Sequence, residues 1–179
     1  PFQEVATRDG IWAKTQADIQ AANDYIVAST FPGVIRLPHG SIISVTSTLV
    51  IDASLVRIEG NGTILFASGL GAADTAIELT GTTTGVGAFP LSGASIKDLA
   101  IVGPGAATTA VGIDLTNGAL TTGPESVLLE NVVVKSFYDG LKYGAALYPI
   151  TTRGCHLIDC GTAYNLAAGG TGAVSSYDD

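Results

Sequence analysis

Glu78, Asp114, Lys142 and Asn165 each stand third in a four-residue segment of one pattern: Ala76-Ile77-Glu78-Leu79, Gly112-Ile113-Asp114-Leu115, Gly140-Leu141-Lys142-Tyr143 and Ala163-Tyr164-Asn165-Leu166. Side chains alternate between the two faces of a strand. The second and fourth positions therefore face a core, and the third faces out. Stacked strands would align the four polar side chains in one outward column. With neighbouring strands about 4.8 Å apart, Glu78 and Asp114 would hold two carboxyl groups roughly 5–6 Å apart, which overlaps the separation used by retaining glycosidases. Glu78 and Asp114 are thus the candidate catalytic residues, and Lys142 and Asn165 the candidate substrate-binding residues. The same column also reads as a solvated surface ladder in which Lys142 neutralises Asp114. Asp139 and Asp159, at corners between segments, are further acidic candidates.

A second repeated pattern must position that column. Lys97-Asp98-Leu99-Ala100-Ile101, Glu130-Asn131-Val132-Val133-Val134 and Arg153-Gly154-Cys155-His156-Leu157 superpose position for position. Asp98, Asn131 and Gly154 are residue types that tolerate left-handed backbone, so each marks a bend. Leu99, Val132 and Cys155 then form one inward ladder, and Ile101, Val134 and Leu157 another. Lys97, Glu130 and Arg153 face out with alternating sign, as a surface salt-bridge stack. Repeats of this content predict a solenoid of β-strands. Leu99 to Val132 is 33 residues and Val132 to Cys155 is 23. That inequality excludes repeats of fixed length and suits strands in register joined by variable loops.

Composition agrees. The chain has 179 residues, of which 23 are Gly and only 13% are charged. Mean hydropathy is +0.41, yet no apolar run approaches the ~18 residues that would cross a membrane. The hydrophobicity is spread over many short strands. Net charge is −8 and the pI about 4.5, without a basic cluster. This argues against nucleic acid and anionic membrane surfaces and is compatible with a carbohydrate partner. Cys155 and Cys160 read as buried thiols, with a local disulfide or half of a metal site as alternatives. No metal motif and no cofactor motif is present. His39 and His156 are the only histidines, which makes a histidine-based triad implausible. The chain has no Met and begins at Pro1 without a signal peptide, which suggests a processed chain or an excised fragment.

Along the chain, Thr15 to Ala28 reads as a helix. Thr15 is the N-cap, Asp18 completes a capping pattern, and Ile19, Ala22 and Ile26 form an apolar stripe ended by Pro32-Gly33. Short strands are expected at Val34–Pro38, Ile42–Val45, Thr48–Ile51, Leu55–Glu59 and Thr63–Ala67, with Asn61-Gly62 as a tight turn. Asn61-Gly62-Thr63 also matches a glycosylation sequon. Residues 68–94 and 103–111 read as loops. Tyr143 and Tyr164 are expected in the core, and Trp12 under the helix. Tyr138, Tyr148 and Tyr177 could stack on sugar rings. The organisation is one domain over 1–179: a cap over 1–32 with the helix at 15–28, coils over 33–166, and a tail over 167–179.

The segment from Ile11 to Ala67 resembles the N-terminal part of the pectate-lyase-like right-handed parallel β-helix superfamily, and most of all its phage tailspike and capsule depolymerase members. The matching phrases are Ala17 to Ile26 (ADIQAANDYI), Gly33 to Ile42 (GVIRLPHGSI), Ser47 to Asp52 (STLVID) and Val56 to Gly62 (VRIEGNG). The resemblance implies an all-β right-handed parallel β-helix with an N-terminal capping α-helix. It implies a tailspike-type protein that binds, and in its full-length form depolymerises, a bacterial capsular or O-antigen polysaccharide as a hydrolase or lyase. A homotrimer at an extracellular or virion-tail location follows, without a cofactor, a nucleic acid partner or membrane insertion. The superfamily leaves two alternatives: a secreted pectinase-like lyase or hydrolase, and a non-catalytic β-helix stalk or adhesin.

Overall fold

The computed structural model of the protein describes residues 10–53, 55–80, 94–115, 127–143, 150–166 and 174–177. The elements are β1 (Ile11–Trp12), α1 (Gln16–Ser29), β2 (Gly33–Arg36), β3 (Ile42–Ser44), β4 (Leu49–Asp52), β5 (Val56–Phe66), β6 (Thr75–Thr80), β7 (Ala94–Val102), β8 (Val111–Leu115), β9 (Val127–Lys135), β10 (Asp139–Tyr143), β11 (Ile150–Arg153), β12 (His156–Ile158), β13 (Thr162–Leu166) and β14 (Val174–Tyr177).

The strands form two sheets in which every pairing is parallel. The larger runs β1-β2-β5-β7-β9-β11-β14, with β3 also pairing β5 and β12 also pairing β9. The smaller runs β4-β6-β8-β10-β13. The chain thus returns to each sheet in sequence order, one strand further along at each visit.

The long strands β5, β7 and β9 are bent. Asn61, Asp98 and Asn131 sit at the bends with φ of 52°, 52° and 53°, and Gly154 separates β11 from β12 with φ of 56°. Each strand therefore contributes two limbs to the larger sheet. Before the bend, Ile58, Ile96 and Leu129 align inward; after it, Leu65, Ile101 and Val134 do. The Leu99–Val132 pairing has the expected register, as does Ile101–Val134–Leu157. Cys155 and Leu157 are half-buried against the core.

Both sheets bury branched aliphatic side chains against each other in one core that includes Ile35, Leu37, Ile51, Ile77, Leu79, Ile113, Phe137 and Leu141. Each such side chain contributes about 1.5–3 kcal/mol by leaving water. α1 closes one end of the smaller sheet. Ile19, Ala22 and Ile26 are buried, and Thr15 and Asp18 form the capping box. Its polar edge is as specific as its apolar one. Gln20 Nε2 donates to Val50 O at 3.0 Å and Gln20 Oε1 accepts from Val50 N at 3.1 Å. Asn23 Oδ1 accepts from Asp52 N at 2.9 Å, and Gln16 Oε1 from Thr46 N at 2.9 Å. These side chains serve backbone groups of β4 and its approach that a further strand would otherwise satisfy.

Several expectations are corrected. Asn61-Gly62 is a bend inside the continuous strand β5, not a turn between two strands, because both limbs stay paired to β7. Trp12 is 48% exposed rather than packed under the helix: β1 pairs β2 with Ile11 opposite Ile35, so alternation turns Trp12 outward. Tyr164 is 40% exposed rather than core. It lies on the last strand of the smaller sheet among the described residues, where its ring faces Tyr143, with centroids 6.4 Å apart. β6 holds the Ala76–Leu79 copy of the strand pattern inside a stretch otherwise read as loop, and residues 81–93 fall outside the described residues. β14 lies inside the expected tail and pairs β11. Asn61 Nδ2 donates to Leu37 O at 2.9 Å, and Thr63 is fully buried, so the sequon triplet is part of the framework. Cys155 and Cys160 are half-buried thiols, with Sγ donating to Leu129 O at 3.3 Å and to Val134 O at 3.8 Å.

Candidate functional site

The smaller sheet positions the polar column. Ile77, Leu79, Ile113, Leu115, Leu141 and Tyr143 are buried, which turns the residues between them outward. The register pairs Glu78 with Asp114, Asp114 with Lys142, and Lys142 with Asn165. Val50, 38% exposed, heads the column opposite Glu78. The four candidate residues therefore stand in one line across β6, β8, β10 and β13.

Small residues before the column let the strands bend there. A Cβ at Gly112 would stand 2.4 Å from Val134 Cγ1 and 2.6 Å from Gly140 O. A Cβ at Gly140 would stand 2.8 Å from Ala163 O and 3.3 Å from Cys160 Sγ. Gly112 and Gly140 thus face the interior, as do Ile113 and Leu141 next to them. Two successive inward positions require a kink, and the position before it, Asp139, turns the other way.

Asp139 joins the column by that route. Asn165 Nδ2 donates to Asp139 Oδ2 at 2.7 Å. Asp139 is only 4% exposed, and among the described residues its buried Oδ1 has no hydrogen-bond partner. Lys142 Nζ lies 3.5 Å from Asp114 Oδ2, with the Asp114 side chain 13% exposed. That shielding makes the pair tighter than a fully hydrated surface ion pair. Behind the column, burial and then the neighbouring Tyr164 push the Tyr143 phenol above its ordinary pKa.

The structure brings Glu78, Asp114, Lys142 and Asn165 onto one face and adds Asp139 through Asn165. Asp139 was readable only by counting alternation back from Gly140 with the kink included. Asp159 lies elsewhere, with its carboxylate 3.7 Å from Lys135 Nζ on exposed side chains. Tyr138 is 44% exposed. The side chains of Tyr148 and Tyr177 lie outside the described residues. The alternating charges of the larger sheet extend beyond Lys97, Glu130 and Arg153 to Arg36 and Glu59, with Lys97–Glu130 at 2.6 Å and Arg36–Glu59 at 3.0 Å. Among the described residues, no group of three or more His, Cys, Asp or Glu side chains gathers to hold a metal ion, and no helix is long and apolar enough to cross a membrane.

No family model and no curated protein matches the chain. Among solved structures, it is similar to one described as a "putative glycosyl hydrolase" from Parabacteroides merdae ATCC 43184, at 13% identity over 92% of each chain with a TM-score of 0.28. So loose an overlap carries no argument about this chain.

Proposed function

We propose that the chain is a right-handed parallel β-helix of the pectate-lyase-like kind, capped by α1, and that it works as a tailspike-type protein. It binds a bacterial capsular or O-antigen polysaccharide and cleaves it by glycoside hydrolysis at the Glu78–Asp114 column. The observation that carries this reading is the register placing Glu78 beside Asp114 on one outward face. Neighbouring strands about 4.8 Å apart allow the two carboxyl groups the roughly 5–5.5 Å separation of a retaining mechanism. Asp114 attacks the anomeric carbon as the nucleophile. Glu78 protonates the departing oxygen and then takes a proton from the water that releases the sugar from Asp114. Lys142 and Asn165, next along the line, hold the polymer. The sequence order in which the chain revisits its two sheets supports the solenoid reading. The resemblance of residues 11–67 supports the tailspike reading, and with it a homotrimer in an extracellular or virion setting.

Incubation with purified bacterial polysaccharides tests this, read by new reducing ends and by absorbance of unsaturated products. Reducing ends without absorbance are expected, with Glu78→Gln and Asp114→Asn each lowering the rate by ~100-fold or more. Unsaturated products would replace hydrolysis by elimination. Full activity in both variants would remove the column from the chemistry. Light scattering tests the trimer, which a monomer overturns. A non-catalytic adhesin is the second reading, favoured by the Lys142–Asp114 ion pair, which gives the column a structural use; binding without any cleavage would establish it.

A further inference from the structure

A second surface feature lies on the other sheet, at the bends of β5, β7 and β9. A groove of about 500 Å³ crosses these strands there, lined by His39, Asn61, Asp98, Ala100, Asn131 and Val133 among others. That volume falls within the range of ligand sites, roughly 300–1,000 Å³. Its floor is apolar: Ala100 and Val133 are adjacent on β7 and β9, in line with Ile64 on one side and His156 on the other.

Its wall is a row of hydrogen-bonding groups with spare capacity. Asn131 Nδ2 donates to Asp98 Oδ1 at 2.9 Å. That bond aligns both side chains along the stack and leaves Asp98 Oδ2 to accept from a ligand, while Asn131 Oδ1 lies toward Gly154, where a Cβ would stand 2.7 Å from it. Both residues are exposed. His39 Nδ1 meets Asn61 O at 2.9 Å, which turns Nε2 away from that contact. A Cβ at Gly40 or Gly62 would have nothing within 4 Å, so that end of the groove is open.

We propose that this groove binds a linear neutral polysaccharide lying across the strands, at a site separate from the Glu78–Asp114 column. Open acceptors call for hydroxyl donors, which every sugar ring supplies. A floor of small aliphatic side chains takes the C–H face of such a ring. The wall repeats at the strand spacing of about 4.8 Å, comparable to the rise of one sugar along a polymer. Among the described residues, Asp98 is the one formally charged residue lining the groove, so a polyanion is disfavoured. The proposal rests on the polysaccharide reading for the class of ligand, while its residues lie on the other sheet.

Calorimetric titration of the full chain with purified bacterial capsular and O-antigen polysaccharides, neutral and uronate-containing, tests it. Ala100→Arg fills the floor from an outward strand position and is expected to weaken binding of a neutral polymer at least ~10-fold. Asn131→Gly keeps a residue suited to the positive φ, as Gly154 does, and is expected to weaken it ~3–10-fold by removing the bond that orients the Asp98 acceptor. Melting curves report whether each variant is folded. If both folded variants bind as the wild type while cleavage depends on Glu78, the groove proposal falls alone. If they lose a polymer that the chain binds but does not cleave, the groove stands and the catalytic reading falls. Preference for uronate polymers overturns the neutral class. Absence of any binding overturns both.

Discussion

Gly112 decides more about the candidate site than any charged residue does. Without a Cβ, its strand can kink, sending Gly112 and Ile113 inward together and Asp114 out. Ala76 holds the same position in β6 and is fully buried, so one methyl fits at the start of the stack. At Gly112 that methyl would meet Val134 Cγ1 at 2.4 Å and the backbone oxygen of Gly140 at 2.6 Å. The second contact cannot be relieved by a rotamer change. Gly112→Ala is therefore expected to lose about 1–3 kcal/mol of stability through overpacking, measured as a lower urea midpoint with an unchanged slope. An unchanged midpoint would mean that β8 and β10 can separate locally, and that the register of Asp114 with Lys142 is not rigid.

At the scale of the element, α1 works through amides as much as through its apolar stripe. Gln20 bonds both backbone groups of Val50, replacing what a neighbouring strand would give. Gln20→Ala hands that N–H and C=O of an exposed residue to water and is expected to cost about 0.5–1.5 kcal/mol, read by thermal or chemical denaturation. Gln20→Glu keeps the acceptor but sets a carboxylate against Val50 O and beside Asp24, both of which Gln20 Nε2 now bonds, and should cost at least as much. The start of the helix carries its own pH dependence. Asp18 accepts from Lys14 N at 3.1 Å and Thr15 N at 3.0 Å. The backbone bond from Lys14, then the bond with the Thr15 side chain, hold its carboxyl below the ordinary value of 3.8. A depressed carboxyl stabilises the fold above its unfolded pKa and loses that contribution as pH falls through the folded one. Asp18→Ala is expected to cost about 0.5–2 kcal/mol at neutral pH, with the difference from wild type shrinking below pH ~4.

This helix also shows what a sequence displays and what it hides. Thr15, Asp18, Ile19, Ala22 and Ile26 announce a capped amphipathic helix, because capping and burial depend on residue type at fixed spacing. Gln16, Gln20 and Asn23 occupy helical spacing too, but polar residues there look the same whether they meet water or an edge strand. The bends at Asp98 and Asn131 were legible because few residue types accept positive φ. Asn61 was misread as a turn because a bend and a turn ask for the same residue. The column from Glu78 to Asn165 followed from alternation alone. Asp139 did not, because the kink at Gly140 breaks the alternation that would have placed it. Trp12 was misplaced because a two-residue strand has no period to read.

For the whole molecule, the controlling fact is that each strand pairs with one visited a turn of chain earlier, as in Leu99 with Val132 or Val133 with His156. If the strands stack as the proposed solenoid, stability is close to a sum of nearest-neighbour terms, and the two ends of the described sheets should then differ according to what covers them. At one end α1 closes β4. At the other, Cys155 and Leu157 are half-buried, and Ile158 and Tyr164 are 40% exposed. Between them β7, β8 and β9 are paired on both sides, and Ile96, Ile101, Ile113, Leu129 and Val134 are buried. Amide hydrogen exchange is expected to be slowest in β7, β8 and β9 and fastest, among the paired strands, in β12 and β13. Gln20→Ala should accelerate exchange in β4 and its neighbour β6 and leave β10 and β13 as they were. Uniform exchange across all strands, or acceleration by Gln20→Ala everywhere, would mean that the stack opens as one cooperative unit and that the helix guards the whole molecule rather than the edge it covers.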